Sequence, residues 1–311
     1  RQGYNLGQDA RDWKVSFAQK DLLDSGPSRD KIAPILYRPF DVRQTYYTGQ
    51  SRGFIGQPQQ RVSGQLLAGE NLALITPKRV EYVGAWQHTF VSSTISDHVV
   101  VSLKTIDYQF PLYIYPIADR ADLFSPHETA ERRPNLNPKV VPALAQAYGV
   151  EPSLEEIFHY IYAVLYAPAY REKYAEFLRM DFPRVPFTAD VKLFRELAVL
   201  GERLTALHLL KSSELDPPAC RFEGQGDSLV GKDRKTGLHY DAGEKNVYIN
   251  AAQHFAPVPE AVWTYQVGGY QVCEKWLKDR RERRLELDDI RTYCRIVTAL
   301  GLTIVIQAEI D

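Results

Sequence analysis

The chain has 311 residues, of which 44% are hydrophobic and 25% are charged, and its formal net charge is −1. This composition is typical of a globular protein with enough apolar material for one large or two medium domains. The near-neutral charge excludes a protein that coats nucleic acid with its whole surface, because such proteins are strongly basic.

The sequence does not indicate a membrane protein or a secreted protein. We find no run of about 18 apolar residues, so no membrane span is expected. The sequence begins at Arg1 with neither an initiator Met nor an apolar signal segment, and its single Met is Met180; we therefore expect a piece cut from a longer protein. Three widely spaced cysteines (Cys220, Cys273 and Cys294) form no Cys-x-x-Cys pair, which favours a reducing cytoplasm.

The first 117 residues predict a mostly β region. Trp13, Val15 and Phe17 alternate as in a short strand, and residues 32–47 are typical of extended chain. Further strands are predicted at 72–76, 99–103 and 110–115, with one or two helical turns at 61–67 between them.

Positive charge is concentrated in this β region. The first eighty residues carry twelve Lys or Arg against seven Asp or Glu. Within them, residues 37–52 combine Arg43 and Arg52 with the aromatic pair Tyr46 and Tyr47. Guanidinium groups bind phosphate and guanine, and aromatic rings stack on bases, so the segment predicts a nucleic-acid contact. The alternative is an amphipathic strand whose aromatic side chains, such as Tyr37 and Phe40, face a core.

A second basic and aromatic cluster follows the predicted strand at 72–76. Lys78 and Arg79 come directly after it, and Gln87 and His88 lie just downstream. Arg and Lys side chains can recognise guanine, and Gln can recognise adenine. A solvated loop is the alternative interpretation.

The second half of the chain predicts helices. Residues 119–137 are polar, as in a linker, and Ser153 with Glu156 forms a capping box that opens an amphipathic helix. Another helix is expected at 190–210, and one or two hairpins at 221–250. Two further helices are expected at about 260–281, broken near Gly268-Gly269, and at 288–308. We therefore predict an α+β fold with a β-rich subdomain at 1–130 and a mainly helical subdomain at 131–311 that contains the β-hairpin insertion.

Motifs for catalysis are not found in the sequence. Gly226 to Lys232 fits the first part of a phosphate-binding loop, but Asp233 stands where a Ser or Thr is needed. No zinc-protease, hydrolase or dinucleotide motif occurs, and the acidic pairs Glu155-Glu156 and Asp288-Asp289 are explained by helix N-termini. We expect no catalytic residue, metal site or cofactor in this chain.

Six segments in order resemble one known family. They are Tyr-Arg-Pro-Phe-Asp-Val-Arg-x-Thr-Tyr-Tyr-Thr-Gly (37–49), Leu-Ala-Gly-Glu-Asn-Leu-Ala-Leu-Ile-Thr (67–76), Phe-Pro-Leu-Tyr-Ile-Tyr-Pro (110–116), Arg-Arg-Pro-Asn-Leu-Asn-Pro (132–138), Asp-Phe-Pro-Arg-Val-Pro (181–186) and Val-Gly-Gly-Tyr-Gln-Val-Cys-Glu-Lys-Trp-Leu-Lys-Asp-Arg (267–280). The chain thereby resembles the C-terminal specificity region of single-chain type ISP restriction-modification enzymes, a region that putative helicase or adenine-methylase proteins share.

The resemblance implies a double-stranded DNA target recognition domain within a cytoplasmic anti-phage enzyme. The parent chain would carry nuclease, ATP-dependent translocase and adenine methyltransferase modules, which use S-adenosylmethionine, ATP and Mg. The helical part would dock the methyltransferase module. At the DNA we expect Arg43, Tyr46, Tyr47, Arg52, Lys78, Arg79, Gln87 and His88. The alternative is a scaffold or coupling domain that touches no DNA.

Overall fold

The computed structural model describes residue 9 and residues 13–81, 84–116, 132–233 and 237–311. The expected subdomain boundary at 130/131 and most of the expected linker lie outside the described residues. The boundary therefore stays a prediction.

The first part of the molecule is built from two small sheets. Its strands are β1 (Ile32–Arg38), β2 (Asp41–Tyr46), β3 (Ala73–Pro77), β4 (Phe90–Ser92), β5 (Ile95–Ser96), β6 (Asp107–Pro111) and β7 (Tyr113–Ile114). One sheet has the order β2-β1-β5, the other has the order β4-β3-β6, and β7 pairs with β8 (Arg133–Pro134). Strands β1 and β2 are antiparallel, with Ile35 opposite Arg43.

Two predicted strands of this part are wrong. Val15 begins helix α1 (Val15–Ser25) instead of lying in a strand. Residues 99–103 form no ladder, because their backbone groups are bound elsewhere. The Asp107 carboxylate accepts hydrogen bonds from the amides of Val101 and Ser102, and the Gly269 amide donates to the Val101 carbonyl. The expected helical turns at 61–67 are present as α2 (Gln60–Ser63) and a 3-10 turn.

The second part is mainly helical, as predicted. Its helices are α3 (Val140–Tyr148), α4 (Leu154–Tyr166), α5 (Pro168–Lys173), α6 (Ala175–Met180), α7 (Val191–His208), α8 (Glu260–Trp263), α9 (Val272–Lys278) and α10 (Leu287–Ile310). The capping box of Ser153 and Glu156 is formed. Helices α4 and α7 approach closely at Gly201, where an added Cβ would lie 1.8 Å from the His159 carbonyl oxygen.

The predicted hairpin insertion is a four-stranded antiparallel sheet. It consists of β9 (Arg221–Glu223), β10 (His239–Asp241), β11 (Asn246–Tyr248) and β12 (His254–Ala256), in the order β10-β11-β12-β9. A last hairpin, β13 (Gln266–Val267) and β14 (Tyr270–Gln271), turns at Gly268-Gly269. The α+β class, with a mostly β first part and a helical second part, is therefore confirmed.

One hydrophobic core draws side chains from both parts. Phe40 and Phe90 of the β region pack their rings against His208 at the end of α7, with centroids 5.7 and 5.3 Å away. His208 is fully enclosed, and its Nδ1 lies 2.6 Å from the Tyr162 hydroxyl while its Nε2 lies 2.9 Å from the Thr303 hydroxyl. These contacts join the β region to helices α4, α7 and α10.

Helix α10 also belongs to this core. Among the described residues it is the helix long and apolar enough to cross a membrane, by length and composition alone. Half of its most apolar window is buried inside the protein, including Tyr293, Leu300 and Ile306. The apolar face of α10 is thus used for packing.

Candidate nucleic-acid interface

Two of the family-like segments, residues 37–49 and 267–280, are connected by a buried cluster of ion pairs, which we call the joint. Asp41, at the start of β2, is 1% exposed, and its Oδ1 accepts a hydrogen bond from Arg280 at 3.0 Å. Arg280 also donates to Asp289 at 3.2 Å and lies 3.4 Å from the centre of the Trp276 ring. The joint therefore ties β2 to the ends of α9 and α10.

Arg43 belongs to the same joint. Its guanidinium donates to Asp41 Oδ2 at 2.7 Å, approaches Asp279 at 3.7 Å, and stacks on the Tyr37 ring at 3.8 Å. Burial alone would raise the pKa of Asp41, but hydrogen bonds from Arg43 and Arg280 hold it below its usual value. The side chain of Arg43 keeps 38% of its exposure, but its charge is already paired inside the protein.

The two tyrosines expected at the DNA are buried. Tyr46 and Tyr47 are each 8% exposed. The Tyr46 hydroxyl donates to the Gly26 carbonyl at 3.0 Å, and the Tyr47 hydroxyl donates to the Pro58 carbonyl at 3.0 Å. Burial raises the pKa of Tyr47 to about 12. Both rings hold the end of β2 in place, and neither lies where a base could stack on it in this conformation.

His88 and Gln87 are also turned away from the surface. His88 is 2% exposed, and burial followed by the charge of Arg171 lowers its pKa to about 4. Gln87 is half-buried and its backbone carbonyl accepts a hydrogen bond from Gly268 at 2.7 Å. These positions support the packing of the last hairpin against the β region.

Arg52, Lys78 and Arg79 are exposed. Among the residues that the structure describes, no carboxylate pairs with any of the three. Arg52 lies in a loop, residues 48–59, which we call the glutamine loop because Gln50, Gln57 and Gln59 are exposed there. These three glutamines were not among the residues predicted at the DNA, although Gln87 was.

Lys78 and Arg79 stand at the end of β3 beside exposed aromatic rings. Tyr108 and Phe110 of the edge strand β6 contact the Phe182 ring with centroids 5.1 and 5.3 Å apart, and the Lys78 Nζ lies 5.9 Å from the same ring. Tyr108 and Phe110 are 45% and 40% exposed. Exposed rings beside cations that pair with no described carboxylate are typical of nucleic-acid surfaces. Lys78 and Arg79 were predicted at this surface, whereas Tyr108, Phe110 and Phe182 were not.

Nothing in the described ranges forms a metal site. No group of three or more His, Cys, Asp and Glu side chains comes together there. In the partial phosphate-loop motif, Lys232 faces Glu282 at 3.3 Å, and neither Lys232 nor Asp233 lies in a helix.

Comparison with known proteins identifies the family. The profile of the Type ISP C-terminal specificity domain matches residues 1–304. No curated protein matches the chain. Among solved structures, a DrdV–DNA complex superposes with a TM-score of 0.70 at 24% identity, over 91% of this chain and 28% of that one.

Two further structures show the same fold. A nuclease-deletion mutant of the Type ISP restriction-modification enzyme LlaGI, in complex with a DNA substrate mimic, gives a TM-score of 0.64 at 20% identity, over 92% of this chain and 25% of that one. The ATP-dependent Type ISP enzyme LlaBIII bound to DNA gives 0.68 at 18% identity, over 96% and 20%. This chain thus spans about a quarter of the length of these proteins. The profile match over nearly the whole sequence shows that the chain belongs to the Type ISP C-terminal specificity domain family.

Proposed function

We propose that this chain binds double-stranded DNA and recognises its target sequence for a restriction-modification enzyme. The observation that carries the proposal is that Arg52, Lys78 and Arg79 are exposed and pair with no carboxylate of the described residues, in a protein whose net charge is −1. Unpaired cations favour a polyanionic partner, because binding releases the counterions of the phosphates. The solved relatives are DNA complexes, which supports the same partner.

The proposed interface is smaller than the sequence suggested. It keeps Arg52, Lys78 and Arg79 as phosphate contacts and leaves Gln87 at its margin. Arg43 remains a candidate only if DNA displaces Asp41 from its guanidinium. We assign the buried side chains of the original set, namely Tyr46, Tyr47 and His88, to holding the interface in shape.

The test is a salt titration of duplex binding by a triple variant, Arg52→Ala with Lys78→Ala and Arg79→Ala. Removing one cation that binds a phosphate should lower the slope of log affinity against log salt by about 0.9. We therefore expect a clearly shallower slope and weaker binding at low salt, measured by fluorescence anisotropy.

The matched control removes three exposed cations from the helical part, Lys173→Ala with Arg195→Ala and Lys211→Ala. Both triple variants lose the same net charge, so only the position of the charge differs. If the two variants bind duplex DNA with the same slope, or if the wild-type chain binds no duplex, the proposal is overturned.

A second candidate role is docking to the methyltransferase module of the parent chain. Leu103 and Ile106, which precede β6, and Phe177 and Met180 of α6 are exposed apolar side chains. Exposed apolar surface is typical of an interface within a larger assembly. In a chain that carries both modules, Phe177→Asp with Met180→Asp should lower DNA methylation, and unchanged methylation would refute docking there.

The remaining activities are proposals for the parent chain. We propose that it joins a nuclease, an ATP-dependent translocase and an adenine methyltransferase, with S-adenosylmethionine, ATP and Mg as their cofactors. The Type ISP family of the present domain supports this arrangement. ATP-dependent cleavage and methylation assays on the full-length protein would test it.

A further inference from the structure

The glutamine loop is firmly attached to the protein behind it. Asp21 of helix α1 is 1% exposed and accepts hydrogen bonds from the Thr48 hydroxyl at 2.9 Å and from the Phe54 amide at 2.8 Å. The Trp13 indole donates to the Gly53 and Phe54 carbonyls, both at 3.2 Å. The loop is therefore fixed at both ends of its first half, although its outer side chains face solvent.

The second half of the loop is held in the same way. The hydroxyl of buried Tyr47 donates to the Pro58 carbonyl, and Gln59 then leads directly into α2. Arg52 and Gln59 have positive φ values of 54° and 50°, a conformation that non-glycine residues rarely adopt. Such backbone persists where the surrounding structure imposes it, and it is frequent at binding sites.

The loop encloses an open concavity of about 430 Å³. Its lining is amide-rich, since Arg52, Gln57, Gln59 and Gln60 all contribute to it. Residues 42–69 contain three arginines and six glutamines but no Asp or Glu, so no carboxylate of this stretch repels a phosphate. Gln60 packs against Gly49, whereas the amides of Gln57 and Gln59 are exposed and bind no protein group in the described part of the chain.

We propose that Gln57 and Gln59 recognise adenine in the major groove and thereby determine part of the target sequence. A glutamine amide offers one donor and one acceptor, which match N7 and the N6 amino group of adenine. An uncharged amide gains little from phosphate, so its place on a rigid, carboxylate-free loop fits recognition of base edges. The inference rests on the proposed function and adds two specificity-determining residues to it.

The test compares the sequences that variants select from a randomised duplex library. The double variant Gln57→Ala with Gln59→Ala should lose preference for A·T pairs at one or two positions, and each glutamine–adenine pair removed should lower discrimination roughly 5- to 150-fold. Its salt slope should differ little from that of the wild-type chain, because no charge is removed. Thermal unfolding of each variant shows that the fold is kept.

A matched control is Gln44→Ala with Gln50→Ala, two exposed glutamines that do not line the concavity. It should select the wild-type sequence. A third variant, Gln57→Glu, should shift one position towards cytosine, since a carboxylate accepts a hydrogen bond from its N4 amino group.

The outcomes separate the two proposals. If the wild-type chain selects a sequence and the Gln57/Gln59 variants select the same one with equal discrimination, the inference is overturned while DNA recognition stands. If the wild-type chain binds no duplex at all, both proposals fail.

Discussion

Two neighbouring regions of this protein have similar side chains and opposite environments. In residues 37–43, arginine and tyrosine side chains are stacked and paired with carboxylates from β2 and from the end of α9. In the glutamine loop, a few residues later, Arg52 and the amides meet no carboxylate in the described structure. If Arg52 binds DNA as we propose, the difference teaches that an arginine is free for a partner only where the fold brings no acid beside it.

The substitution with the largest expected effect on the free energy of unfolding removes the central carboxylate of the joint. Asp41→Ala leaves Arg280, which is buried, without its partner in β2. Breaking a buried ion pair in this way costs about 3–5 kcal/mol of the free energy of unfolding. Urea denaturation measures it. The control Glu196→Ala, in an exposed pair with Lys192, should cost below about 0.5 kcal/mol. Equal effects of the two variants would mean that the joint is not a stabilising element.

The glutamine loop should respond to the loss of its anchor. Asp21→Ala leaves the Thr48 hydroxyl and the Phe54 amide without their acceptor, which should cost about 1.5–3 kcal/mol. In this variant, the backbone amides of residues 48–56 should exchange hydrogen faster than those of the adjacent sheet formed by β1, β2 and β5. A loop whose exchange is unchanged would argue that Trp13 and Tyr47 are sufficient to fix it.

Buried titratable groups, unlike the glutamine loop, should make the free energy of unfolding depend on pH. Burial, and then the charge of Arg171, lowers the pKa of His208 to about 3. Below pH 6.5 the unfolded chain takes up a proton that the folded chain does not, so stability falls as the pH falls. Between pH 7.5 and 5 this histidine alone should remove about 2 kcal/mol.

The variant His208→Gln isolates that contribution, since other groups act equally in both proteins. Asp107, whose pKa burial raises to about 7, acts in the opposite direction and cancels in the difference. Unfolding free energies measured for wild type and variant at the two pH values should differ in slope. Parallel curves would show that His208 is protonated in the folded state.

The smallest expected effects come from removing one arginine of each region, Arg43 or Arg52, and they can be compared directly. Arg43→Ala should lower stability by about 1 kcal/mol or less, because the Arg43 side chain is 38% exposed and buried Asp41 keeps its hydrogen bond from Arg280. The same change should leave the salt slope of DNA binding almost intact. Arg52→Ala should leave stability intact and lower the slope by about 0.9. The reverse assignment of effects would mean that Arg43 turns outward onto DNA.

Local signals predicted the fold well where one segment was sufficient. The capping box at Ser153, the apolar stripe of α7 and the extended chain of β1 and β2 are all present. The short strand predicted through Val15 was wrong because alternation over five residues also fits the first turn of a helix. The strand predicted at residues 99–103 was wrong because their backbone groups bind the side chain of Asp107 and the loop amide of Gly269. Intrinsic β propensity gives no information about such partners.

The candidate site was harder to predict because it depends on distant partners. Arg43 pairs mainly with Asp41 in the same segment, but Asp41 is held in its buried position by Arg280, which is far away in sequence, so composition alone could not show that this arginine is occupied. Burial of His88 follows from the packing of the last hairpin onto the β region, which is equally non-local. Exposure of Arg52, Lys78 and Arg79 was expected because each stands in a polar turn between predicted elements.

The shared core around His208 has a consequence for how target sequence can diversify. A graft that exchanged only the β-rich part between two relatives would remove Phe40 and Phe90 from their packing against α7 and leave the Tyr162–His208–Thr303 chain facing foreign rings. Whole domains or individual surface loops can be exchanged without that mismatch. New specificities in this fold should thus arise by replacing short loops on a conserved frame, and chimaeras cut inside the core should misfold.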